Sequence, residues 1–575
     1  MNSPRALPVR RWWRTASRVV VAAGCLVALS AAVPAATLKA QASIVPATHS
    51  VYDWLEEQRV FGRLPGYEAE ELPMSRATIL GHLRTLESDS AQLSRTDREL
   101  LNDYLNEFDF ARLQTNGAFR KQLIEHPVQG VVDAIKERRD PYIFAGHPVS
   151  DSTLTGALWL REDWGYGWNG GARLHQFEYL YGKGIKAFVN STSGLGFHFE
   201  VDMADASQPW IYRLDPRLGS NARLLQDSTT PPADYETWVS FQRHNLFITM
   251  GKGASVIGPS VTDPLFVRIG APSMGQMRVT LGPPKFHLTF LQGQLDGDSQ
   301  TDTSFVNGRQ VVVQSPVPRW TSLTRLTWNP SPKFGLTLDQ MTVYSGRGLD
   351  FELLNPLLPS LFGGLDKASA DNGFVGFDAI ARPIKGTELK YSVLIDDAEG
   401  YNFKPFGHGW AKIANMAGLE QRLPFDIKFG FSYTRIDAYV YTSGVYSDAW
   451  EVSGAPLGPA NGPNSDEVAL RLTRWFPWRT RVMIGTRHIR KGLDPVDSTG
   501  AVTKIVGGGL LDNVDTKGPF LVGSDLQTYR LDELEIETEP IRGLKMSATM
   551  QSVVVISGTR IPGSHTLLIR MSYGF

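Results

Sequence analysis

The sequence predicts an all-β transmembrane antiparallel β-barrel of about 18 strands, preceded by an α-helical segment. Three features indicate this fold. Apolar residues alternate with polar ones along residues 149–575, short proline-containing turns alternate with long polar segments, and the chain begins with a leader typical of exported proteins. With 42% hydrophobic and 20% charged residues and a mean hydropathy of −0.18, the 575-residue chain is neither disordered nor a multi-span helical membrane protein.

Residues 1–42 are predicted to be a signal peptide, cleaved near Ala42. Five arginines precede an apolar stretch at residues 19–36, and Ala-Gln-Ala at residues 40–42 offers the small residues that a signal peptidase reads. A retained membrane anchor and a lipoprotein attached at Cys25 are the alternatives. Because Cys25 is the only cysteine, the mature chain is expected to hold neither disulfides nor thiolate metal sites. Acidic residues outnumber basic ones beyond the leader, which excludes nucleic acid as an expected partner.

Residues 43–148 are predicted to form a helical head on the periplasmic side, either inside the barrel as a plug or beneath it. Val51, Trp54 and Leu55 form the apolar face of a first helix. Ser75 is expected to cap a second helix, and Ser94 with Asp97 forms a capping box before a third. The sequence at residues 51–55, Gly62 and residues 73–76 also resembles surface-layer-homology modules, which bind cell-wall polymers.

The barrel is predicted from residue 149 to the C-terminus. Alternation alone would also suit a soluble sandwich, so the connections decide between the two folds. Brief periplasmic turns and long external loops are typical of outer-membrane barrels. Six short turns lie at residues 282–285, 329–332, 382–386, 422–425, 475–478 and 539–543, and long polar segments lie at residues 296–318, 345–372, 396–409, 441–465 and 491–526.

The strand count and the chain end fit this fold. Six hairpins, a terminal strand and about five strands between Leu154 and Gly251 give about 18 strands, an even number as bacterial barrels require. Phe575, with Tyr573 and Met571 on the same face, resembles the terminal strand that the barrel insertion machinery reads, so that machinery and outer-membrane lipid are expected partners. Aromatic residues at strand ends are predicted to form an interfacial girdle: Trp475, Phe476 and Trp478, and Tyr439, Tyr441, Tyr446 and Trp450.

Charged residues on the barrel strands are predicted to line the lumen in an acidic and a basic stripe: Glu533, Glu535 and Glu537, and Arg471, Arg479, Arg481 and Arg487. A barrel of this width leaves an aqueous lumen unless something fills it. The helical head is the available filler.

One region resembles a known family. Its motifs are Arg319-Trp320, Arg325, Trp328, Pro330-Ser331-Pro332, Tyr344-Ser345-Gly346-Arg347-Gly348-Leu349-Asp350-Phe351, Asn355-Pro356-Leu357, Asp371-Asn372 and Ile395-Asp396-Asp397. In order and spacing they resemble the Wzi family of capsule-assembly outer-membrane proteins over roughly residues 250–397. Met250-Gly251-Lys252-Gly253 departs from the family's Trp-Gly-Pro-Gly-like turn. The resemblance implies an eighteen-stranded barrel occluded by a helical bundle, and a surface lectin that holds secreted capsular polysaccharide on the cell.

Candidate polysaccharide-binding residues lie in the long loops. Sugars bind through hydrogen bonds to carboxylates and amides and through stacking on aromatic faces. The candidates are Asp350, Asn355, Asp371, Asn372, Asp396, Asp397, Tyr401 and Asn402. The structural alternatives are a turn at Asn355-Pro356 and a strand-start cap at Asp371-Asn372. Tyr446 and Trp450 are more typical of a girdle than of a sugar platform.

Catalysis is not expected, and neither is a metal or another cofactor. The histidines show no metal-ligand spacing, and Asp396 and Asp397 would point to opposite faces of a strand. The sequence therefore predicts an outer-membrane protein that binds surface or capsular polysaccharide and helps to attach or assemble it at the cell surface. An outer-membrane porin or transport channel, and a structural anchor to the cell wall through the helical head, are the alternative functions.

Overall fold

The computed structural model describes residues 41–109, 144–146, 154–171, 174–206, 233–295, 299–306, 309–355, 371–396, 412–443, 446–452, 455–510 and 518–574. Nearly all of the expected signal peptide and part of the expected head, residues 110–143 and 147–148, lie outside these ranges. None of the helices described is long and apolar enough to cross a membrane.

The described part of the head contains three helices and short strands. The helices are α1 (Val51–Val60), α2 (Arg76–Ser88) and α3 (Arg95–Phe108), and the strands are β1 (Ile44–Val45), β2 (Glu71–Leu72) and β3 (Met74–Ser75), with β4 (Phe144–Gly146) following later in the chain. Ser75 caps α2 and Ser94 caps α3, each accepting a hydrogen bond from the backbone N–H three residues on. Both predicted caps are confirmed.

The rest of the chain forms β5 (Leu154–Gly171), β6 (Leu174–Ser191), β7 (Leu195–Ala206), β8 (Ala233–Arg243), β9 (Leu246–Gly253), β10 (Val256–Ile257), β11 (Met274–Leu281), β12 (Phe286–Leu295), β13 (Ser299–Val306), β14 (Arg309–Pro316), β15 (Arg319–Ser331), β16 (Phe334–Ser345), β17 (Asn372–Ala381), β18 (Thr387–Asp396), β19 (Lys412–Leu423), β20 (Ile427–Ile436), β21 (Glu451–Val452), β22 (Ala455–Pro456), β23 (Ser465–Phe476), β24 (Thr480–Leu493), β25 (Asp525–Ile541), β26 (Leu544–Ser557) and β27 (Ser564–Gly574).

Eighteen of these strands close into one antiparallel barrel, which confirms the predicted fold. Each barrel strand pairs with the next barrel strand along the chain, and β27 pairs with β5 to complete the circle. The short strand β4 pairs with β5 beside this seam. Strands β10, β13, β14, β21 and β22 lie in the connections rather than in the barrel wall.

The connections sort by length between the two ends of the barrel. The six short turns foreseen in the sequence join β11–β12, β15–β16, β17–β18, β19–β20, β23–β24 and β25–β26 at one end. The long connections lie at the other, outer end. The segment at residues 296–318, expected as a polar loop, carries a hairpin of its own, β13–β14.

The head lies at the short-turn end of the barrel. Arg63 of the head pairs at 3.4 Å with Asp426, which lies in one short turn. Asn329, in another short turn, donates its side-chain N–H to Glu68 of the head at 2.6 Å. Within the head, Trp54 and Tyr104 stack with ring centroids 5.3 Å apart in a continuous apolar cluster. The head therefore has its own core and is tied to the wall by polar contacts.

Candidate functional site

Buried ion pairs fix the head to the inner face of the barrel wall. Arg59 on α1 is fully buried and pairs with Glu70 of the head at 2.7 Å and with Glu388 of β18 at 2.8 Å. Lys390 of β18 pairs with Glu56 of α1 at 2.8 Å. A buried charge is tolerated only with partners of opposite sign, so these pairs specify where the head sits.

Glu56 shows the electrostatic consequence of this arrangement. Burial alone would raise the pKa of its carboxyl group, but the ammonium groups of Lys390 and Lys428 hold that pKa well below its usual range. Glu56 is therefore ionised and bridges β18 and β20, the strands on either side of β19, since Lys428 of β20 also pairs with it at 3.1 Å.

The charged residues of the predicted lumenal stripes face inward and form ion pairs with one another or with the head. Arg481 pairs with Asp53 of α1 at 2.7 Å and with Glu535 of β25 at 2.8 Å. Arg479 pairs with Glu107 of α3 at 2.6 Å. The periodicity of the strands had predicted the direction of these side chains, and the structure confirms it.

A strap formed by residues 254–273, between β9 and β11, runs from the head into the lumen. Its strand β10 pairs with β2 of the head. Farther along, Asp263 pairs with Arg487 of the wall at 3.3 Å, and Arg487 also pairs with Glu467 at 2.6 Å. The space left beside these side chains is about 10 Å³, about the volume that one water molecule needs.

A mouth loop formed by residues 437–464, between β20 and β23, meets the strap near the outer end. Tyr441 donates its hydroxyl to the Leu265 carbonyl at 2.8 Å, and the Trp450 indole N–H donates to the Phe266 carbonyl at 2.8 Å. Both aromatic side chains are almost fully buried. Head, strap and mouth loop thus form a continuous series of contacts through the barrel.

The predicted aromatic girdle is wrong for this loop. Tyr439, Tyr441 and Trp450 are buried at 4% exposure or less, because β20 ends at Ile436 and the chain then turns over the lumen instead of continuing along the wall. Trp475 is also buried, against the head cluster, whereas Trp478 is 59% exposed at the short-turn end.

Two predicted sugar ligands hold the mouth loop instead of facing solvent. The Asp396 carboxylate accepts from the Tyr441 backbone N–H at 2.6 Å and is fully buried. The Asn372 side chain donates to the carbonyls of Thr442 and Asp448 at 3.2 and 3.0 Å and is 2% exposed. A side chain without accessible surface cannot touch a polymer outside, so these two residues have a structural task.

A second cluster, the rim cluster, consists of Tyr344, Arg347, Asp350 and Asp371. Arg347 forms a bidentate pair with Asp371, in which Nη1 donates to Oδ1 at 2.7 Å and Nη2 donates to Oδ2. Its Nε lies 3.3 Å from the Asp350 carboxylate. Its guanidinium lies 4.7 Å from the centre of the Tyr344 ring. The planar guanidinium, fixed on both sides and still 29% exposed, is pre-organised for a further ligand.

Asp371 and Asn372 are adjacent, yet they belong to different assemblies. Successive side chains of a strand point to opposite faces of the sheet. Asn372 points into the lumen and holds the mouth loop, whereas Asp371 lies on the outer side with Arg347. The predicted residues are therefore divided by the barrel wall.

Accessible side chains border the rim cluster. Phe351 is 85% exposed, and Glu352 and Asn355 are exposed as well. Trp320 donates its indole N–H to the Arg347 carbonyl at 3.2 Å, which ties the strand β15 to the turn that carries Phe351. Aromatic faces, amides and charged groups are thus found together at the outer end of the barrel.

Of the eight predicted ligands, Asp350, Asn355 and Asp371 lie in or beside the rim cluster. Asp397, Tyr401 and Asn402 lie outside the described residues. Sequence reasoning missed Arg347, although the residue stands inside the motif that carried the resemblance. It also missed Arg319, which pairs with Glu451 beneath the mouth loop. In the ranges that the structure covers, no group of histidine, cysteine and carboxylate side chains could hold a metal ion.

Comparison with known proteins identifies the family. The family model described as capsule assembly protein Wzi matches residues 195–552, well over half of the chain, and the chain therefore belongs to this family. The curated proteins contain no match.

Solved structures support the same fold. The chain is similar to Wzi of Escherichia coli, described as an outer membrane protein involved in group 1 capsule assembly and a carbohydrate-binding β-barrel, with 12% identity, a TM-score of 0.55, and coverage of 92% of this chain and 99% of that one. Two barrels of Pseudomonas aeruginosa are less similar. OpdQ shows 10% identity and a TM-score of 0.40, with coverage of 74% of this chain and 99% of its own. OprD shows 9% identity and a TM-score of 0.39, with coverage of 75% of this chain and 97% of its own.

Proposed function

We propose that this protein binds surface or capsular polysaccharide at the outer rim of its barrel, without catalysis, and helps to attach or assemble the polymer at the cell surface. Membership of the capsule-assembly family supports the role. The observation that carries the site is the rim cluster, in which Arg347 is held in place by two carboxylates beside an aromatic side chain that is 85% exposed.

The chemistry of the rim suits a sugar polymer. Phe351 and Trp320 offer apolar faces for the ring carbons, while Arg347, Glu352 and Asn355 offer donors and acceptors for hydroxyl or carboxylate groups. Asp350 and Asp371 act by positioning Arg347. Asp397, Tyr401 and Asn402 remain proposed ligands from their sequence alone.

The cellular setting belongs to the same proposal. The chain is exported, its leader is removed near Ala42, and the mature barrel lies in the outer membrane, contacting lipid along its wall. The insertion machinery reads the terminal strand that ends in Phe575. Residues 43–148 form the head and residues 149–575 the barrel.

The contacts inside the barrel favour binding over conduction. Two buried apolar clusters, one in the head and one around the strap and mouth loop, lie in series along the lumen, and charged wall residues are engaged by the head. A diffusion channel would need these groups to separate. An anchor to the cell wall would act through the head and is compatible with glycan binding at the rim.

Binding of the organism's own surface polysaccharide to the purified mature protein tests the proposal. We expect saturable binding that Phe351→Ala weakens about tenfold, since loss of one stacking face costs about 1 kcal/mol or slightly more. The matched control is Phe334→Ala, a partly exposed phenylalanine at the short-turn end of β16. Absence of binding, or equal loss in both variants, would overturn the site.

A further inference from the structure

The outer wall of the barrel carries a groove on the side formed by β20 and β23–β26. Its volume is about 510 Å³. The register places the side chains that form it in one row across neighbouring strands, facing away from the lumen: Phe429, Leu472, Ile484, Leu534 and Met550. Arg471, Gly485 and Glu533, which alternate with these residues along their strands, complete the lining.

The next row toward the outer end is apolar at Phe431 and Leu470 on β20 and β23 and becomes polar on β24–β27. Thr486, Asp532, Ser552 and His565 stand side by side on β24–β27. The Thr486 hydroxyl donates to Asp532 at 2.7 Å, and Ser552 and His565 share a hydrogen bond of 2.8 Å. The groove therefore has an apolar lower part and a polar upper edge.

This polar edge lies deep relative to the membrane. On the outward face of β24 only Val482 and Ile484 separate Thr480, beside the short turn, from Thr486. At about 3.4 Å per residue and a tilt of about 40°, this stretch rises about 15 Å, less than the apolar band of about 25 Å that a barrel of this type presents. On β18, by contrast, Leu389, Tyr391, Val393 and Ile395 keep the outward face apolar to the strand end.

Above the edge, the wall presents bases more openly than acids. The Arg490 side chain is 45% exposed while its partner Asp466 is 6% exposed, and Arg530 is 51% exposed against 37% for its partner Asp532. His488 and His565 are exposed on the same face. The two ion pairs balance in charge, but their arginines reach the membrane side more openly than their aspartates do.

The opposite side of the barrel shows how this chain treats a polar wall at similar height. There Ser322 donates to the Leu353 carbonyl at 2.8 Å, and Thr342 is 5% exposed, because the turn after β16 folds down over the outward face. In the described part of the chain, nothing comparable covers His488, Arg490, Arg530 and His565.

We propose that this groove binds a phosphorylated glycolipid of the outer leaflet, that is, lipopolysaccharide. One acyl chain lies along the apolar row, and the phosphate and amide groups meet the polar edge and the bases above it. Acyl chains fit the apolar row, and phosphate groups can accept from the N–H groups of Arg490 and Arg530, whose side chains stay 45% and 51% exposed beside their aspartates. A lipid without phosphate would not make the second contact. The site is on the outer wall and does not depend on glycan binding at the rim.

Native mass spectrometry of the purified full-length mature protein in mild detergent tests the proposal, with diphosphorylated lipid A as the probe. We expect one retained molecule, and at least fivefold weaker retention for Ile484→Trp, which fills the groove. Leu338→Trp on β16 is the control, because Leu338 is 57% exposed on the outward face and Ile484 54%.

A second arm separates the headgroup from the acyl chains. Arg490→Ala combined with Arg530→Ala should weaken retention of diphosphorylated lipid A about tenfold and leave dephosphorylated lipid A unchanged, while Lys183→Ala, an exposed base on β6, should change neither. Equal loss in Leu338→Trp, or retention of phosphatidylglycerol as strong as that of lipid A, would overturn the proposal in favour of unspecific lipid contact.

Discussion

The two ends of the barrel use charged side chains in opposite ways. At the short-turn end, Arg59, Glu388 and Glu56 are enclosed between head and wall, and each charge is engaged by protein partners. At the outer end, Arg347 is clamped by Asp350 and Asp371 but keeps a solvent-exposed edge. Enclosed ion pairs determine position, whereas a clamped and accessible cation can receive a ligand. From this difference we infer closure inside the barrel and propose binding at its rim.

The largest effect should come from breaking the enclosed pairs. Arg59→Met removes the cation that joins Glu70 of the head to Glu388 of the wall, although Glu388 keeps Arg382 at 2.7 Å. Loss of one partner of a buried pair typically costs about 3–5 kcal/mol. We expect the head to become sensitive to protease at temperatures where the wild-type head resists. Arg95→Met is the control, since Arg95 is 90% exposed and pairs with Glu99 at the surface of the same helix. Equal resistance of both variants would contradict the assignment.

A somewhat smaller effect is expected where the wall holds the mouth loop. Asp396→Ala leaves the buried Tyr441 N–H without its acceptor, at a cost of about 1–3 kcal/mol. Hydrogen exchange should rise in residues 437–443 while exchange in the head stays as it was. Asp371→Ala, its counterpart on the outer side of the wall, should leave exchange in this loop unchanged, and a rise in both variants would show that the two faces are not independent.

The sequence predicted the barrel well because its signals are local. Each proline-containing turn, such as that at residues 539–543, joins two strands whose period is visible in a few residues. The strap was not foreseen, because its position depends on the pairing of Val256 with Leu72, about 180 residues away in the chain. The aromatic residues of the mouth loop were misassigned for the same reason, since their partners Leu265 and Phe266 are remote in sequence.

The candidate site was predicted only in part. The residue types were suitable, but a loop sequence does not reveal on which side of the wall each side chain lies. Asp371 and Asn372 are adjacent in sequence, yet their side chains lie on opposite sides. Arg347 could have been singled out, because it is the single arginine of residues 345–372, a segment with four acidic residues, and such an arginine is expected to form ion pairs.

A moderate effect is expected at the rim. Arg347→Lys keeps the charge but loses the bidentate geometry with Asp371, so affinity for the polysaccharide should fall about threefold to tenfold while stability changes by less than about 1 kcal/mol. Arg435→Lys, a control elsewhere on the outer half of the wall, should bind as the wild type does. A large loss of stability in Arg347→Lys would show that Arg347 has a structural role like that of the enclosed charges, and would contradict the difference between the two ends of the barrel.

The smallest effect should be a pH dependence of the head. Burial raises the pKa of Glu68 to about 7, although its side chain keeps 29% exposure. The folded state therefore holds this proton more tightly than the unfolded state, and stability should decline as pH rises from about 4.5, the ordinary value for glutamate, to about 7. Glu68→Gln should flatten this part of the thermal stability profile, and Glu99→Gln on an exposed helix face should not. An unchanged profile in Glu68→Gln would contradict the assignment.

Ionic current across a planar bilayer, recorded with polysaccharide binding on the same preparations, tests the separation of closure from binding most directly. We expect the wild-type protein to carry no current and to bind the polysaccharide. Arg59→Met should conduct and bind with unchanged affinity, and Phe351→Ala should carry no current and bind weakly. Conductance by the wild-type protein without binding, or loss of binding in Arg59→Met, would contradict this separation.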